Sequence, residues 1–338
     1  MVTGGVCTGC CTTPVRRRHR GSPTVEALLA GVRQPHRKGA RAPETCRVVR
    51  PRAGARDGRR PRPTTQPLLL LGGALQDMYA WPRLERRIAP CTPVILVDLP
   101  GTGSADELPA EEGFDALAAA ALHLLDALDL PRVNVLGASY GAPIAYRLAQ
   151  TSPQRVSRLL LAGATRRVPC EMRTFLRDAA VRIEASAPGP GQSLDSVCTT
   201  DGTYADHLVR CLVNTSEHHR VQESAAVQRL LRRQALRSTW RQVKRHAACH
   251  RRLLDPGLIP EGGISGVPAL VFTGEYDITT SPRRNQEVAR TIAGSTFALI
   301  READHMAHLE RDAEYADLVL AFLHDRRVDD LDFVRTAV

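Results

Sequence analysis

A serine stands between two glycines in the pentapeptide Gly137-Ala138-Ser139-Tyr140-Gly141. The residues before it, 131–136, read as an apolar strand, and those after it, 142–149, read as a helix. In that position a Gly-x-Ser-x-Gly turn strains the serine backbone, lifts its Oγ above the sheet edge and directs helical N–H groups at the same place. Ser139 is therefore a candidate nucleophile, and the alternative is an ordinary Gly-Ser turn between strand and helix.

A serine nucleophile needs a base and an acid that orients the base. Folds with this turn supply them in the chain order serine, acid, histidine, at the ends of later strands. Asp277 follows the apolar segment 269–272, and His305 follows the next one, 296–300. Both then lie at the edge where open α/β sheets bind ligands, which makes them the favoured acid and base.

Two neighbouring residues could do the same chemistry. Glu275 lies two residues before Asp277, and His308 lies three residues after His305. His308 falls at the start of the last predicted helix, 308–325, where side chains turn into the packing face. Asp277 and His305 are preferred, although taken singly they could be a turn carboxylate and a helix cap.

Four local patterns, in their joint order, resemble the α/β-hydrolase superfamily over residues 66–325. They are Leu71-Gly72-Gly73-Ala74 followed by Trp81, the run Asp98-Leu99-Pro100-Gly101-Thr102-Gly103-Ser104, the serine turn, and the pair Gly274–Asp277 and Asp304–Glu310. The Gly-Gly-x-Leu…Trp form is similar to esterases of secondary metabolism in actinomycetes. Leu71 departs from the family pattern, because many members carry a histidine there.

The resemblance also implies an oxyanion hole. One donor would be the backbone N–H of Tyr140, and the second would be the N–H of Gly73, with Ala74 as the alternative. Such a donor is typically worth about 3 kcal/mol to the transition state. A plain Gly-Gly turn between strand and helix is the structural alternative at residues 72–73.

Strand and helix segments alternate along most of the chain, which predicts an α/β fold with a mostly parallel, doubly wound sheet. Strands are expected at 93–98 and 159–162, and a long helix at 111–129. The alternation stops between residues 166 and 263, where the resemblance implies an inserted helical cap after the sixth strand. The predicted core therefore comprises residues 66–165 and 264–338, and the cap or lid residues 166–263.

The first 65 residues differ in composition from the rest. Residues 1–66 hold 15 Lys/Arg and three Asp/Glu, so the whole basic excess of a chain with net charge +10 lies there. Their Pro, Gly and Arg content predicts a basic, disordered leader over residues 1–65. No aromatic interleaving or binding motif accompanies the arginines, so nucleic acid is not the expected partner.

The sequence also predicts a cellular location and whether a cofactor is needed. No segment reads as a membrane span or as a secretory signal. The nine cysteines, an odd number without zinc spacing, favour reduced thiols and a cytoplasmic location. Neither a metal nor a cofactor is expected, and His218, His219, His246 and His250 are read as surface residues.

The predicted cap is basic, with 16 Lys/Arg against ten Asp/Glu over residues 166–263. Arg229, Arg232, Arg233 and Arg237 are read first as a solvated helix face. The functional alternative is an acidic substrate, or an acidic carrier protein, that approaches the lid.

Together these residues predict a serine hydrolase that cleaves a small-molecule ester or thioester through an acyl-enzyme on Ser139. His305 would act as the base, and Asp277 would orient it. Acyl transfer, amide cleavage and carbon–carbon bond hydrolysis use the same residues and stay open. A non-catalytic binding protein of the same fold is the hypothesis from another class.

Overall fold

Eight strands form one sheet in the computed structural model, which describes residues 45–50, 65–186 and 202–336. In chain order they are β1 (Cys46–Val49), β2 (Leu68–Leu71), β3 (Val94–Val97), β4 (Val133–Ala138), β5 (Val156–Ala162), β6 (Ala269–Gly274), β7 (Thr296–Ile300) and β8 (Val334–Thr336). Their order across the sheet is β1-β3-β2-β4-β5-β6-β7-β8. The six inner strands are parallel, whereas β1 and β8 are antiparallel edge strands. The predicted mostly parallel sheet is confirmed.

Helices cover both faces of this sheet. The described helices are α1 (Pro82–Ile88), α2 (Phe114–Ala127), α3 (Gly141–Thr151), α4 (Cys170–Ala185), α5 (Tyr204–Leu212), α6 (Ser224–Arg237), α7 (Trp240–Leu253), α8 (Pro282–Ala289), α9 (Ala307–Glu310) and α10 (Asp312–Leu323). Strand side chains alternate between the faces, so Leu69 packs in the cluster with α2, α3 and α8 while Leu68 and Leu70 pack with α1 and α10. Burial on both faces explains why the inner strands read as continuous apolar runs.

Two helix predictions differ from the structure at their ends. The helix expected at 111–129 runs over Phe114–Ala127, and it begins directly after Gly113. The helix expected at 308–325 is two helices, α9 and α10, because Arg311 has φ −133° and ψ 56° and interrupts the helical backbone.

The predicted leader boundary at residue 65 is wrong for Cys46–Val49, which form the edge strand β1. This strand pairs antiparallel with Val94–Val97, and Cys46 is buried in the core. Arg47 donates to the Met78 carbonyl at 3.0 Å and forms an ion pair with Glu85 at 3.1 Å. Four strand residues among many arginines were too short a signal to separate from their surroundings. The remainder of the leader prediction, residues 1–44 and 51–64, lies outside the described residues.

Helices α4–α7 are inserted between β5 and β6, within the segment expected to form a cap. Five of the described strands precede the insertion in the chain. Its apolar side chains form a cluster of their own, which includes Met172, Leu176, Leu208, Leu231 and Val243. In the part of the chain that the structure describes, no helix combines the length and apolarity required to cross a membrane.

Two buried arginines on α7 hold the insertion against the core. Arg245 and Arg252 are only 6% and 3% exposed. Their guanidinium groups donate to backbone carbonyls in the chain between β3 and α2, namely those of Thr102, Gly103, Ala105, Leu108, Pro109 and Glu112. A buried charge is costly unless it is hydrogen-bonded, so these contacts fix α7 to the core.

The same helix corrects the prediction for two histidines. His246 and His250 were expected at the surface, but α7 turns them inward and both are buried. The Nε2 of His250 lies 2.9 Å from the Tyr204 hydroxyl of α5. His218 and His219 are exposed.

Candidate active site

Ser139 occupies a sharp turn between β4 and α3. Its φ is +49°, a left-handed conformation that costs a serine backbone free energy, and its N–H donates to the Ala162 carbonyl at 2.8 Å. A Cβ on Gly141 would come within 2.1 Å of the Leu71 oxygen, and one on Gly137 within 2.5 Å of the Gly141 oxygen. The two glycines thus let the strand, the helix and the loop after β2 approach closely beneath the serine.

Three side chains from the ends of three strands form a continuous hydrogen-bonded chain. The Ser139 Oγ lies 3.1 Å from His305 Nε2, and His305 Nδ1 lies 2.9 Å from Asp277 Oδ2. The side chain of His305 is 3% exposed, and that of Asp277 is fully buried. This geometry directs Nε2 at the serine, so the imidazole can take the hydroxyl proton.

The buried Asp277 carboxylate is held by two threonines. Thr280 donates its N–H to Oδ1 at 2.7 Å and its hydroxyl to Oδ2 at 2.8 Å, and the Thr273 hydroxyl also donates to Oδ2. Burial alone would raise the pKa of Asp277. The attraction to the charge of His305 and the hydrogen bond with that ring outweigh burial, so the pKa of Asp277 is lowered. Burial likewise opposes the charge on His305, yet the Asp277 carboxylate leaves the pKa of the imidazole raised.

The side chains of the two rival residues have other partners than Ser139, His305 and Asp277. Glu275 forms an ion pair with Arg335 of β8 at 3.1 Å. His308 Nε2 lies 3.0 Å from Gln76 Nε2, and its ring packs on Trp81 with 4.3 Å between centroids. Burial, followed by the charge on His305, lowers the pKa of His308 to about 3, so this imidazole is neutral.

The backbone of Gly73 lies close to Ser139, and Tyr140 follows Ser139 in the chain. The Gly73 N–H donates to the side-chain Oε1 of Gln76 at 2.6 Å, and a Cβ on Gly73 would lie 3.5 Å from the Ser139 Cβ. Tyr140 precedes the first residue of α3, where backbone N–H groups have no acceptor within the helix. Because Gln76 Oε1 accepts from Gly73, its Nε2 is the donor to His308.

Sequence reasoning missed Gly163, which makes room for the His305 ring. It has φ +64°, and a Cβ there would lie 3.1 Å from His305 Cε1 and 3.2 Å from Thr280 Oγ1. Its position directly after β5, between Ala162 and Ala164, was the available signal. Asn214 of the insertion was missed too: its backbone N–H donates to Asp304 and its side chain to the Tyr276 carbonyl at 3.0 Å. No local pattern points to that residue.

Two further carboxyl groups are buried near His305. The Asp304 N–H donates to Glu310 Oε2 at 2.6 Å. Burial is the main cause that raises the pKa of Asp304 to about 6 and that of Glu310 to about 8. Glu310 is therefore mostly protonated at neutral pH.

A cavity of about 140 Å³ lies between Ser139 and the insertion. Its wall is mostly apolar, and the insertion contributes Met172, Phe175, Leu176, Leu208 and Leu231. No lysine or arginine of the described residues lines it. Among these same residues, no group of three or more His, Cys, Asp or Glu side chains is arranged to hold a metal ion.

Comparisons with known proteins agree with this architecture. A family model described as alpha/beta hydrolase fold matches residues 66–312. The poly(3-hydroxyalkanoate) depolymerase of Ectopseudomonas oleovorans is 33% identical over 103 residues, which cover 30% of this chain and 36% of that protein. A 2-hydroxy-6-oxononadienedioate/2-hydroxy-6-oxononatrienedioate hydrolase of Pseudomonas putida is 35% identical over 101 residues, 28% of this chain and 35% of that protein. The chain thus matches about a third of the length of these relatives.

A solved structure covers more of the molecule. The thermophilic esterase from Thermogutta terrifontis superposes with a TM-score of 0.63 over 83% of this chain and 92% of that chain, at 21% identity. Likeness at this identity shows a common fold.

Proposed function

This chain belongs to the α/β-hydrolase family, and from that premise we propose that it is a serine hydrolase that cleaves an ester or a thioester through an acyl-enzyme on Ser139. One observation carries the proposal, namely the hydrogen-bonded chain Ser139–His305–Asp277 at the wall of an apolar cavity. A buried carboxylate, an imidazole and a strained serine in that order form the arrangement that activates a hydroxyl for attack on a carbonyl.

In the proposed reaction, Ser139 Oγ adds to the substrate carbonyl carbon while His305 Nε2 accepts the hydroxyl proton. The tetrahedral intermediate then expels the alcohol or thiol, which leaves with that proton. His305 Nε2 then takes a proton from a water molecule, which adds to the acyl carbon. The carboxylic acid departs as His305 returns the proton to Ser139 Oγ. Asp277 keeps the other ring proton on Nδ1 and stabilises the imidazolium.

The proposal assigns the oxyanion to the N–H groups of Gly73 and Tyr140, with Ala74 as the alternative to Gly73. Gln76 supports this assignment, because its side-chain carbonyl already accepts the Gly73 N–H at 2.6 Å, next to Ser139. A bound substrate carbonyl has to displace that carboxamide.

The apolar wall favours a substrate with an apolar acyl or alcohol group next to the reacting carbonyl. An acidic group beside Ser139 is disfavoured, because no described lysine or arginine lines this cavity. The proposed location is the cytoplasm, and the free thiols of the described cysteines support it.

The direct test is labelling by a fluorophosphonate probe, read by intact mass, together with turnover of aryl esters. Ser139→Ala should abolish labelling and lower kcat by about 10⁴-fold or more. Ser216→Ala, at an exposed serine, should change neither. Normal hydrolysis by Ser139→Ala would overturn the proposal.

The proposed role of His305 as the base is tested against a matched variant of His308. His305→Ala should lose turnover to a similar extent, and the two losses should not add because the residues act as a unit. His308→Phe, which keeps a ring on Trp81, should retain most of the turnover. The reverse result would move the base to His308.

Carbon–carbon bond hydrolysis is a second candidate, which the 35% identity with the Pseudomonas putida hydrolase favours. Turnover of that protein's named substrate, with no turnover of any aryl ester, would replace the ester proposal. A folded protein with no labelling of Ser139 and no turnover would favour a binding protein of the same fold.

A further inference from the structure

A second cavity lies directly outside the first and shares part of its wall. Leu75, Ala80, Leu230 and Gln234 line both cavities. The outer cavity, called the vestibule below, has a volume of about 440 Å³. Because the two cavities share these residues, the vestibule adjoins the inner cavity on the side of α6.

Two arginines without partners line the vestibule. Arg233 and Arg237 lie one turn apart on α6, and neither guanidinium has an ion pair or hydrogen bond among the described residues. Their neighbour Arg232 is instead paired with Asp206. One carboxylate, Asp77, also lines the vestibule, and its Oδ1 accepts the Tyr79 N–H at 2.9 Å. The charged groups of the wall thus leave one positive charge in excess.

A buried nitrogen is the second, independent observation. His246 lines the vestibule and is 9% exposed, and its Nδ1 is buried without a hydrogen-bond partner in the described part of the chain. Burial, followed by the charge on His250, lowers the pKa of His246 to about 3, so the ring is neutral. A neutral imidazole can donate from the nitrogen that carries its proton. Buried polar atoms in proteins nearly always have partners, so the unpaired Nδ1 leaves one hydrogen bond of this wall residue unused.

We propose that the vestibule binds an anionic group at the far end of the substrate, through Arg233, Arg237 and His246. The inference rests on the proposed function and narrows its substrate class. That class is an ester or thioester with an apolar part in the inner cavity and a carboxylate or phosphate beyond it. The carboxylate would belong to the acyl group, and the phosphate would belong to the arm of a thiol leaving group.

Matched substrate pairs test the proposal. One pair is an ω-carboxyalkanoyl aryl ester and the alkanoyl ester of equal length, and the other is an acyl-coenzyme A and the same acyl N-acetylcysteamine thioester. The double variant Arg233→Gln/Arg237→Gln should raise KM at least tenfold for a charged member and leave its neutral partner unchanged. The pair that responds identifies the source of the anion.

Two control variants distinguish a specific anion site in the vestibule from the general electrostatic attraction of the positively charged helix α6. Arg229→Gln removes the same charge from α6 outside the vestibule and should leave every KM within twofold. His246→Asn keeps an amide nitrogen near the place of Nδ1 and should retain the preference that His246→Leu weakens. Equal rises in KM for Arg229→Gln and the double variant, or no rise with either charged substrate, would overturn the proposal.

Calorimetry on Ser139→Ala measures binding of the same esters without turnover. If the charged ester bound in a manner that required Arg233 and Arg237 while the parent protein hydrolysed none, the proposed function would fail and the anion site would stand. If the parent hydrolysed both esters and Ser139→Ala bound them equally, the anion site would fail alone.

Discussion

At the residue scale, the Gln76 carboxamide holds two partners, and only one of them, Gly73, has a role in the proposed mechanism. Its oxygen accepts the Gly73 N–H, and its nitrogen donates to the neutral His308. Since a substrate carbonyl would need the same Gly73 N–H, the side chain and the substrate compete for one donor.

Removing that competitor should therefore speed acylation. Gln76→Ala should raise the second-order rate constant of fluorophosphonate labelling about two- to tenfold, the range that one net hydrogen bond supplies. Gln76→Glu should lower it, because a carboxylate accepts the Gly73 N–H more strongly. Slower labelling by Gln76→Ala would indicate that the carboxamide positions the substrate rather than competing with it.

The site residues differ in how far the sequence could predict them. Ser139, Asp277 and His305 were proposed from the sequence because each comes within five residues of the end of a recognisable strand, and parallel strands bring their ends to one edge. Gln76 and Asn214 could not be found that way. Their contacts depend on residues 232 and 90 positions away, His308 and Asp304, and no periodic pattern encodes such pairs.

At the scale of elements, the end of β5 determines how much room the His305 ring has. Gly163→Ala should lower kcat at least tenfold, because its Cβ would press on His305 Cε1 from 3.1 Å. Gly294→Ala is the matched control, since Gly294 has a similar φ of +70° but no atom within 4 Å of an added Cβ. Both variants should lose about 1–2 kcal/mol of stability through backbone strain. Equal kcat values for the two variants would contradict this role of Gly163.

Glu310, the last residue of α9, should make stability depend on pH. The folded state raises the pKa of Glu310 to about 8, so between the carboxyl's ordinary pKa and about 8 it binds a proton that the unfolded chain has released. This contribution to stability is full at low pH and is lost as pH rises through about 8. Glu310→Gln should remove that part of the slope, up to about 1.4 kcal/mol per pH unit. Denaturant titrations at pH 5 to 9 measure it, and unchanged slopes would place the proton elsewhere.

At the scale of the whole molecule, the edge strand β1 extends the sheet beyond the core expected from the sequence. Deleting residues 1–64 should lower Tm by several degrees relative to deleting residues 1–43, since only the longer deletion removes the pairing of β1 with β3 and the Arg47–Glu85 ion pair. Each kcal/mol lost corresponds to about 2–4 °C in domains of 150–250 residues. Arg47→Ala in the full chain isolates the ion pair. Identical Tm values for the two deletions would show that β1 contributes nothing.

The strands of the sheet were easier to predict from the sequence than the buried charged and polar side chains. Apolar runs of four to seven residues identified the inner strands because both faces of the sheet are covered. The burial of Arg245, Arg252, His246 and His250 was not predictable, because charge and polarity place such residues at a surface. Carbonyl groups more than 130 residues away accept hydrogen bonds from the two arginines, and only the folded chain brings them together.

The separate apolar cluster of helices α4–α7 also has a consequence for how related proteins can diverge. The proposed bond-breaking residues come from loops that end β4, β6 and β7, whereas much of the cavity wall comes from the insertion. Mutations that exchange one wall side chain for another of similar size keep the insertion packed and leave those loops untouched. A lineage can therefore retain one reaction over long periods while the molecules that it accepts diverge from one descendant to the next.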